Sequence, residues 1–255
     1  MRNTPQRRET ILSQLAERGS VKVADLVASL SVSAVTIRSD LTALESLGLV
    51  KRSHGGAHLA RTPTPEHSIR QKDALNHEQK ERIGARAARM VEAGDNVIID
   101  SGTTTLSLAR HLREASDVTV MTNGLNIAWE LADTLGVNLI LTGGLLRKQA
   151  LSIQGTQAEA CLQAYSFDKL FLGVDGFDLQ FGLTTHHEAE ASLNHKMVER
   201  AKKIIVLTDA SKFGRVSLHR IVQLDRVHAV ITDAGISPAY QEGLHKLGIE
   251  LIVAQ

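Results

Sequence analysis

The chain has 255 residues, of which 43% are hydrophobic and 22% charged, values typical of a globular protein. No apolar run approaches the roughly 18 residues that a membrane-spanning helix needs. The first eight residues lack the apolar stretch of a secretory signal. Cys161 is the single cysteine, which excludes an intrachain disulfide framework and a cysteine-based zinc cluster. We therefore expect a soluble, cytoplasmic protein that does not bind membranes.

The net charge of the chain is only +1, but the charge is unevenly distributed. Residues 1–61 contain nine Lys and Arg residues against five acidic ones, a net charge of +4, and the remainder carries −3. A basic N-terminal segment indicates that a polyanion such as DNA binds there. A solvated basic face would have the same composition, so charge alone leaves that alternative open.

The first 50 residues contain three segments in which apolar residues recur at helical spacing. We predict helices over about 5–18, 23–30 and 34–47, with Gly19 ending the first and Gly48 the third. Ser33 is a favourable N-cap for the third helix. The third helix should turn one apolar stripe toward the core, formed by Ile37, Leu41, Leu44 and Leu47.

The third helix has the features of a DNA recognition helix. Its first turns place small polar side chains and one arginine off the apolar stripe, as entry into a major groove requires. Two short basic strands are predicted around Gly55 and Gly56, which completes a winged helix-turn-helix. A small helical domain that contacts protein is the alternative, and the cationic and polar exposed positions disfavour it. The candidate DNA-binding residues are Ser33, Val35, Thr36, Arg38, Ser39, Lys51, Arg52 and His54.

This segment resembles the DeoR family of bacterial transcriptional regulators. The resemblance lies in Val-Ser-Ala-Val-Thr-Ile-Arg-Ser-Asp-Leu at residues 32–41, in Leu44-Glu45 and in His-Gly-Gly-Ala at residues 54–57. The family usually has a second arginine where this chain has Ser39, a departure that predicts a weaker phosphate contact or a different base preference. The resemblance implies operator double-stranded DNA as a partner.

A linker is predicted after the winged helix, because residues 61–66 include two prolines and no apolar periodicity. A polar-faced helix is expected over about 73–91, and the sequence leaves its role open. The expected domains are a DNA-binding domain over 1–61, a linker over 62–78 and an α/β sensor domain over 79–255.

Short apolar strands alternate with helices in the larger domain. Such strands predict a mostly parallel sheet with helices on both faces, and ligands bind such sheets beyond the carboxyl ends of the strands. The predicted helices include about 106–112 and 127–135. The predicted strands are 96–100, 118–122, 138–142, 169–174, 203–208, 227–232 and 248–253.

Phosphate-binding features follow the first of these strands. Asp-Ser-Gly-Thr-Thr-Thr at residues 100–105 leads directly into a helix, where glycine, hydroxyls and free helix N–H groups suit an anion. Helix capping alone would explain one such loop, but the next two strands also end in small polar or glycine loops. Arg147 could add positive charge or form a surface ion pair. The candidate effector-binding residues here are Ser101, Gly102, Thr103, Thr104, Thr122, Asn123, Gly143, Gly144 and Arg147.

Asp175, Glu188 and Lys212 complete the candidate site, since each is predicted to follow a strand. They could hold hydroxyl groups of one ligand or transfer protons on a sugar. His186-His187-Glu188 lacks the spacing of a zinc motif, and GxGxxG and Walker A strings are absent from the sequence. We therefore expect no metal, no cofactor and no catalytic residue.

These loops extend the resemblance to the DeoR family over nearly the whole chain. The sensor domain of that family resembles ribose-5-phosphate isomerase and glucosamine-6-phosphate deaminase in fold, which implies a phosphorylated-sugar effector. The strings at residues 145–149 and 185–191 are most similar to the branch that regulates amino-sugar use. The matching motifs are at residues 100–104, 122–123, 142–144, 173–176 and 211–213, with Glu188.

The sequence thus predicts a homodimeric or homotetrameric repressor of a carbohydrate (amino-sugar) utilisation operon that a phosphorylated sugar releases from its operator. A sugar-phosphate isomerase or deaminase-like enzyme carrying a DNA-binding head is one alternative, which would turn over sugar phosphates. An activator or an architectural DNA-binding protein is another, which reporter output in a deletion strain would distinguish.

Overall fold

The computed structural model describes residues 4–18, 20–46, 50–53, 55–59 and 68–255. The chain forms two compact units, Met1–Pro63 and Thr64–Gln255. Gly19, Leu47, Gly48, His54 and residues 62–67 of the predicted linker lie outside the described residues. Within the described ranges, none of the helices combines the length and the apolar character that crossing a membrane requires.

The N-terminal unit is a winged helix-turn-helix. The three predicted helices are confirmed, and a third strand that the sequence did not predict joins the wing to give the sheet order β1-β3-β2. This strand is only three residues long, too short for an alternating pattern to identify, and its Val21 is buried opposite Ala57. The elements are α1 (Thr4–Arg18), β1 (Ser20–Lys22), α2 (Val23–Leu30), α3 (Ala34–Ser46), β2 (Val50–Ser53) and β3 (Gly56–Leu59).

A buried ion cluster joins α1 to α3 in this unit. Asp40 is 2% exposed, and its carboxylate accepts hydrogen bonds from Nε of Arg7 at 2.5 Å and Nε of Arg8 at 2.9 Å. Burial acts to raise the pKa of Asp40, but the hydrogen bonds from Arg7 and Arg8 outweigh it and hold the pKa below its ordinary value. Arg7 and Arg8 are two of the basic residues that suggested DNA binding. They instead tie the recognition helix α3 to α1.

The C-terminal unit is an α/β domain. Within the continuous stretch 68–255, seven parallel strands form one sheet in the order β15-β14-β12-β9-β4-β5-β6. These strands are β4 (Asn96–Ile99), β5 (Val118–Thr122), β6 (Val137–Leu141), β9 (Phe167–Gly173), β12 (Ala201–Leu207), β14 (Ala229–Asp233) and β15 (Glu250–Ala254). All seven predicted strands are confirmed within three residues of the expected bounds.

Helices cover both faces of this sheet, as the apolar strands predicted. Ile83 and Leu131 pack on one face, and Leu162, Met197 and Leu244 pack on the other. The helices are α4 (Ile69–Ala74), α5 (His77–Ala88), α6 (Thr103–Arg110), α7 (Leu125–Leu131), α8 (Thr156–Leu162), α9 (Glu188–Arg200) and α10 (Pro238–Lys246).

Two small antiparallel sheets flank the carboxyl edge of the main sheet, and the sequence did not predict them. Their strands are three or four residues long, too short to give a clear alternation. They are the hairpin of β7 (Leu145–Arg147) and β8 (Ser152–Gln154), and the sheet of β10 (Gly176–Asp178), β11 (Gly182–Thr185) and β13 (His219–Val222).

The single helix predicted over 73–91 is wrong. The structure has two helices there, α4 and α5, separated at Leu75 and Asn76, and Asn76 adopts a left-handed backbone conformation that a continuous helix does not allow. Helix α4 also lies within the segment predicted as linker. Its start carries a capping box, in which Ser68 and Gln71 exchange hydrogen bonds, and this motif is visible in the sequence.

Helices α5 and α6 approach each other closely at Gly84. A Cβ built on Gly84 would lie 2.6 Å from the backbone nitrogen of Leu108 and 2.7 Å from Cβ of Ser107. Real atoms do not approach this closely, so the glycine sets the separation of the two helices.

We expect Gly84→Ala to destabilise the protein by about 1–3 kcal/mol through overpacking, although alanine favours a helix more than glycine does. Thermal unfolding is the measurement, with Arg82→Ala as the control because Arg82 is exposed on the same helix. A Gly84→Ala protein as stable as the control would contradict the close approach.

Candidate functional site

The N-terminal turn of α3 presents an exposed face. The Ser33 hydroxyl accepts the Thr36 N–H at 3.1 Å, so the predicted N-cap is present. Val35 is 73% exposed, and Arg38 and Ser39 are exposed, while Ile37 between them is buried. An apolar side chain beside an arginine suits a thymine methyl next to a guanine edge in a major groove.

The wing is hydrogen-bonded to the recognition helix. Arg52 donates from Nη1 to Oγ1 of Thr42 at 2.9 Å, and its backbone N–H donates to Glu45 at 2.9 Å. Thr42 in turn donates to the carbonyl oxygen of Arg38 at 2.8 Å. Lys51 and Arg52 are exposed on β2. The wing and the helix therefore present their cations as one surface.

The C-terminal unit contains a cavity of about 300 Å³ at the carboxyl edge of the main sheet. Three strand ends form one wall, through the loops after β4, β9 and β12, and α4 and α5 form another. This is the edge at which parallel sheets bind ligands. The lining includes Ser101, Gly102, Thr103, Thr104, Asp175, Asp209 and Lys212 from the strand ends, and Lys72, Leu75, Asn76 and Lys80 from the helices.

The loop after β4, here called the cradle loop, has the features of an anion-binding loop at the start of α6. The N-cap is Gly102, and no side chain caps the helix there. Gly102 has a φ of 154°, a conformation that side-chain-bearing residues rarely adopt. The Thr105 hydroxyl is buried without a hydrogen-bond partner in the described part of the chain. Free N–H groups at a helix start, with no side chain in front of them, favour an anionic ligand.

Asn123 supports the cradle from the neighbouring strand. Its Oδ1 accepts the Ser101 N–H at 2.8 Å, and its Nδ2 donates to the Ser101 hydroxyl at 3.3 Å. Beneath the loop, the Asp100 side chain is buried. Burial, and then the nearby Glu190 carboxylate, raise the pKa of Asp100 well above its ordinary value. A higher pKa favours the neutral carboxylic acid, which repels an incoming anion less than a carboxylate does.

Asp175 forms an ion pair inside the cavity. Its Oδ1 accepts a hydrogen bond from Nζ of Lys72 at 2.7 Å, and its Oδ2 accepts one from the Thr185 hydroxyl at 3.0 Å. Burial acts to raise the pKa of Asp175, but the Lys72 ammonium outweighs it and lowers the pKa to about 2. Asp175 is therefore a carboxylate at neutral pH.

Two further lysines are partly desolvated here. Burial lowers the pKa of Lys80 to about 8, and its Nζ donates to the carbonyl oxygens of Lys72 and Leu75. Burial also lowers the pKa of Lys212, although Asp175 and Asp209 oppose the change. The cavity thus combines cations and carboxylates in one enclosed space, an arrangement that suits a ligand with both anionic and hydrogen-bonding groups.

Six of the predicted effector-binding residues line the cavity: Ser101, Gly102, Thr103, Thr104, Asp175 and Lys212. The structure does not bring Thr122, Asn123, Gly143, Gly144, Arg147 or Glu188 into that lining. Instead, the Thr122 hydroxyl accepts the Gly124 N–H within its own loop, and Oδ1 of Asn123 accepts the Ser101 N–H in the cradle loop. Gly143 and Gly144 follow β6, which lies two strands from β4, or about 10 Å away.

Glu190 takes the place predicted for Glu188. The two residues are two positions apart on α9, so they point to different faces of the helix. Glu190 lines the cavity and accepts a hydrogen bond from Nη2 of Arg147 at 3.2 Å. Burial and the Asp175 carboxylate raise the pKa of Glu190. Arg147 therefore pairs with a cavity residue instead of lining the cavity itself.

The sequence predicts a helix over 73–91, but not its place in the wall of the cavity. Lys72, Asn76 and Lys80 precede the sheet in the chain, and only the tertiary packing of α4 and α5 brings them over the strand ends. The capping box at Ser68 was the one available signal that residues 69–74 are structured. Further lining residues that the sequence did not predict are Thr185, Asp209, Ser211 and Arg215.

Two family models match the chain. A DeoR-like helix-turn-helix domain matches residues 7–62, and the DeoR C terminal sensor domain matches residues 75–234. The chain belongs to the DeoR family. It is a DNA-binding transcriptional regulator with a sensor domain, as the resemblance implied.

Curated relatives agree with this assignment. A protein of Escherichia coli O157:H7 named for transcriptional repression of the aga operon is 48% identical over 98% of this chain and 94% of its own length. The HTH-type transcriptional repressor GlcR of Bacillus subtilis strain 168 is 34% identical over 96% of this chain and 94% of its own.

Solved structures with partial likeness include ribose 5-phosphate isomerase A from Methanocaldococcus jannaschii. It has a TM-score of 0.41 and 17% identity, over 54% of this chain and 55% of its own. A structural similarity this low adds nothing to the family assignment.

We expect Arg38→Ala to lose about 1–3 kcal/mol of operator affinity and to relax base preference, since an arginine on a recognition helix reads a guanine edge. We expect Arg52→Ala to weaken binding to all DNA sequences alike, since a wing cation contacts phosphate. The slope of log affinity against log salt concentration should fall in magnitude by about 1. Gel shifts at several salt concentrations measure both effects.

Thr42→Val is the matched control, because it breaks the hydrogen bonds to Arg52 and Arg38 without removing a charge. Its salt slope should equal that of the wild type. Unchanged affinity in both arginine variants would mean that this face does not bind DNA.

Proposed function

We propose that this regulator represses a carbohydrate-utilisation operon, and specifically one for amino sugars, and that a phosphorylated sugar releases it from the operator. The observation that carries the proposal is the uncapped N-terminus of α6, which opens into a cavity lined by four cations and three carboxylates. The relatives named for repression of the aga operon and as GlcR support a carbohydrate operon. We place its action in the cytoplasm, where operator DNA is accessible.

The phosphate would bind at Ser101–Thr104. The N–H groups of α6 would donate to its oxygens, Gly102 permits close approach, and Lys80, Lys212 and Arg215 line the same cavity. Asp175 and Glu190 would accept hydrogen bonds from the hydroxyl or amino groups of the sugar. In this proposal Glu190 replaces the predicted Glu188.

The charged residues would bind the sugar without transforming it. Asp175 has a pKa of about 2, far from the neutral value that makes a general base effective. It is also paired with Lys72 at 2.7 Å. A coupled assay with hexose and hexosamine 6-phosphates would detect turnover, and turnover would favour the isomerase or deaminase-like alternative.

Two DNA-binding heads would be joined through the sensor domain as a homodimer or homotetramer. Exposed apolar residues lie along the β6 edge of the sheet, with Leu125 and Trp129 on the same side of α7 and Leu141 on β6 itself. Trp129 is 84% exposed. Strand β6, Val-Asn-Leu-Ile-Leu, has no charge or proline to protect its edge from another strand. A second copy would pair this edge with itself around a two-fold axis.

We expect Gly102→Asp to give a super-repressor that no sugar phosphate relieves, because it places a negative charge where the phosphate would bind. Operator binding without the sugar should equal that of the wild type, since the DNA-binding unit is separate. Gel shifts titrated with sugar phosphates are the measurement. Gly102→Ala is the control, because it introduces the same backbone strain without the charge.

Release of Gly102→Asp from DNA at wild-type sugar-phosphate concentrations would place the phosphate elsewhere. Equal loss of response in Gly102→Ala and Gly102→Asp would mean that strain, not charge, is responsible. A thermal-shift panel of sugar phosphates identifies the effector beforehand, because a ligand at about 100 times its Kd adds about 2.7 kcal/mol of stability.

We expect Trp129→Glu to shift the protein toward monomers, because it buries a charge in the proposed β6 interface. Light scattering measures the mass of the particle. Leu247→Glu is the control, since Leu247 is 51% exposed beside the opposite edge strand, β15. If Trp129→Glu leaves the oligomer unchanged, or if only the control dissociates, the β6 edge is not the interface between copies.

A further inference from the structure

Polar contacts hold helix α4 on the sensor domain. None of its residues is buried. At its start, the Ile69 N–H donates to the Gln149 carbonyl oxygen at 2.8 Å. An element without a buried apolar face depends on its hydrogen bonds and ion pairs for its position, so it belongs to the easily released parts of a fold.

Asp73 of α4 forms an ion pair with Arg110 of α6 at 3.9 Å, and the remaining polar contacts of the helix lead into the effector cavity. Lys72 donates to Asp175 at 2.7 Å, and Asn76, at the end of the helix, donates to Asp209 at 2.9 Å. Lys80 binds the C-terminal carbonyl oxygens of α4, at Lys72 and Leu75. The same residues that fix α4 therefore form a wall of the cavity.

Lys72 holds the position that a sugar would need at Asp175. Both oxygens of this carboxylate already accept a hydrogen bond, one from Lys72 and one from Thr185. Thr185 is fixed on β11, whereas Lys72 has a flexible four-carbon side chain on a short helix. A sugar group that donates to Asp175 would therefore compete with Lys72 in preference to Thr185. A phosphate at the start of α6 would also attract the Lys72 ammonium away from Asp175.

We propose that Lys72 is an internal ligand of the effector cavity, and that the effector releases α4 by breaking the ion pair between Lys72 and Asp175. This inference rests on the proposed sugar-phosphate function and names how that site is coupled to DNA. The coupling requires that the effector bind the released state of α4 better than the tethered one. Displacement of Lys72 supplies that difference, because only the released state leaves Asp175 available.

The place of α4 in the chain suits this role. It is the first helix of the sensor unit, and the residues before it connect to the DNA-binding unit. A change in α4 therefore acts on the connection between the two units without any rearrangement of the main sheet. Tethered α4 corresponds to the state with high operator affinity.

Hydrogen–deuterium exchange of the full-length protein tests the tether directly. In Lys72→Met, amides of residues 69–75 should exchange at least about tenfold faster than in the wild type, which corresponds to about 1.4 kcal/mol. Operator affinity without any sugar should fall by a similar factor. Hexose and hexosamine 6-phosphates, added one at a time to the wild type, should accelerate the same amides, and inorganic phosphate at equal concentration is the comparison.

Three further variants keep the result interpretable. Arg70→Met removes an exposed cation from the same helix and should change neither exchange nor operator affinity. Lys72→Arg keeps a cation and should restore most of both. Asp175→Asn breaks the pair from the other side and should release α4 as Lys72→Met does. Peptides from α5 and α6 report whether a variant has unfolded more widely.

Exchange in Lys72→Met equal to the wild type, or equal acceleration in Arg70→Met, would overturn the proposal. If a sugar phosphate releases wild-type protein from DNA while α4 exchange stays unchanged, the inference about Lys72 is wrong and the proposed function stands. If none of the sugar phosphates binds, the proposed function is wrong and this inference falls with it.

Discussion

Hydrogen bonding between parallel strands is the constraint on which the site depends. The pairs Ile99 with Phe171 and Leu207 with Gly173 align the ends of β4, β9 and β12 at one edge of the sheet. Segments near residues 101, 174 and 209 thereby meet in one cavity although they are far apart in the chain. Helix α6 begins directly after β4, so its start lies at the same edge.

The cavity is also limited by the cost of burying charge. A buried charge is tolerated only when it is paired or loses its ionisation. The structure uses both solutions: Lys72 pairs with Asp175, Arg147 pairs with Glu190, and Asp100 has a strongly raised pKa. The carboxylates that a sugar would need are therefore already engaged within the protein. A ligand must exchange these internal contacts for its own, and such an exchange can couple binding to a change of state.

The DNA-binding unit distributes its cations between two tasks. Arg7 and Arg8 are engaged with buried Asp40 and hold α3 against α1, so they add little to the DNA-binding surface. Arg38 and Arg52 are exposed and joined through Thr42. Net charge over residues 1–61 therefore overstates the number of cations available to DNA, and it does so because ion pairs over 30 residues apart in sequence are invisible to composition.

The sequence by itself determined the winged helix, the seven parallel strands and the glycine loop before α6, because each depends on local periodicity, capping or glycine placement. It also identified the family, which its motifs specify almost continuously. Tertiary structure alone decided the rest of the site. Glu190 replaces Glu188 because helix phase sets which carboxylate faces inward, and Lys72 and Lys80 reach the cavity only because α4 and α5 pack over strands that come later in the chain. Such contacts depend on which residues lie close together in three dimensions, and the residues adjacent in sequence do not indicate this.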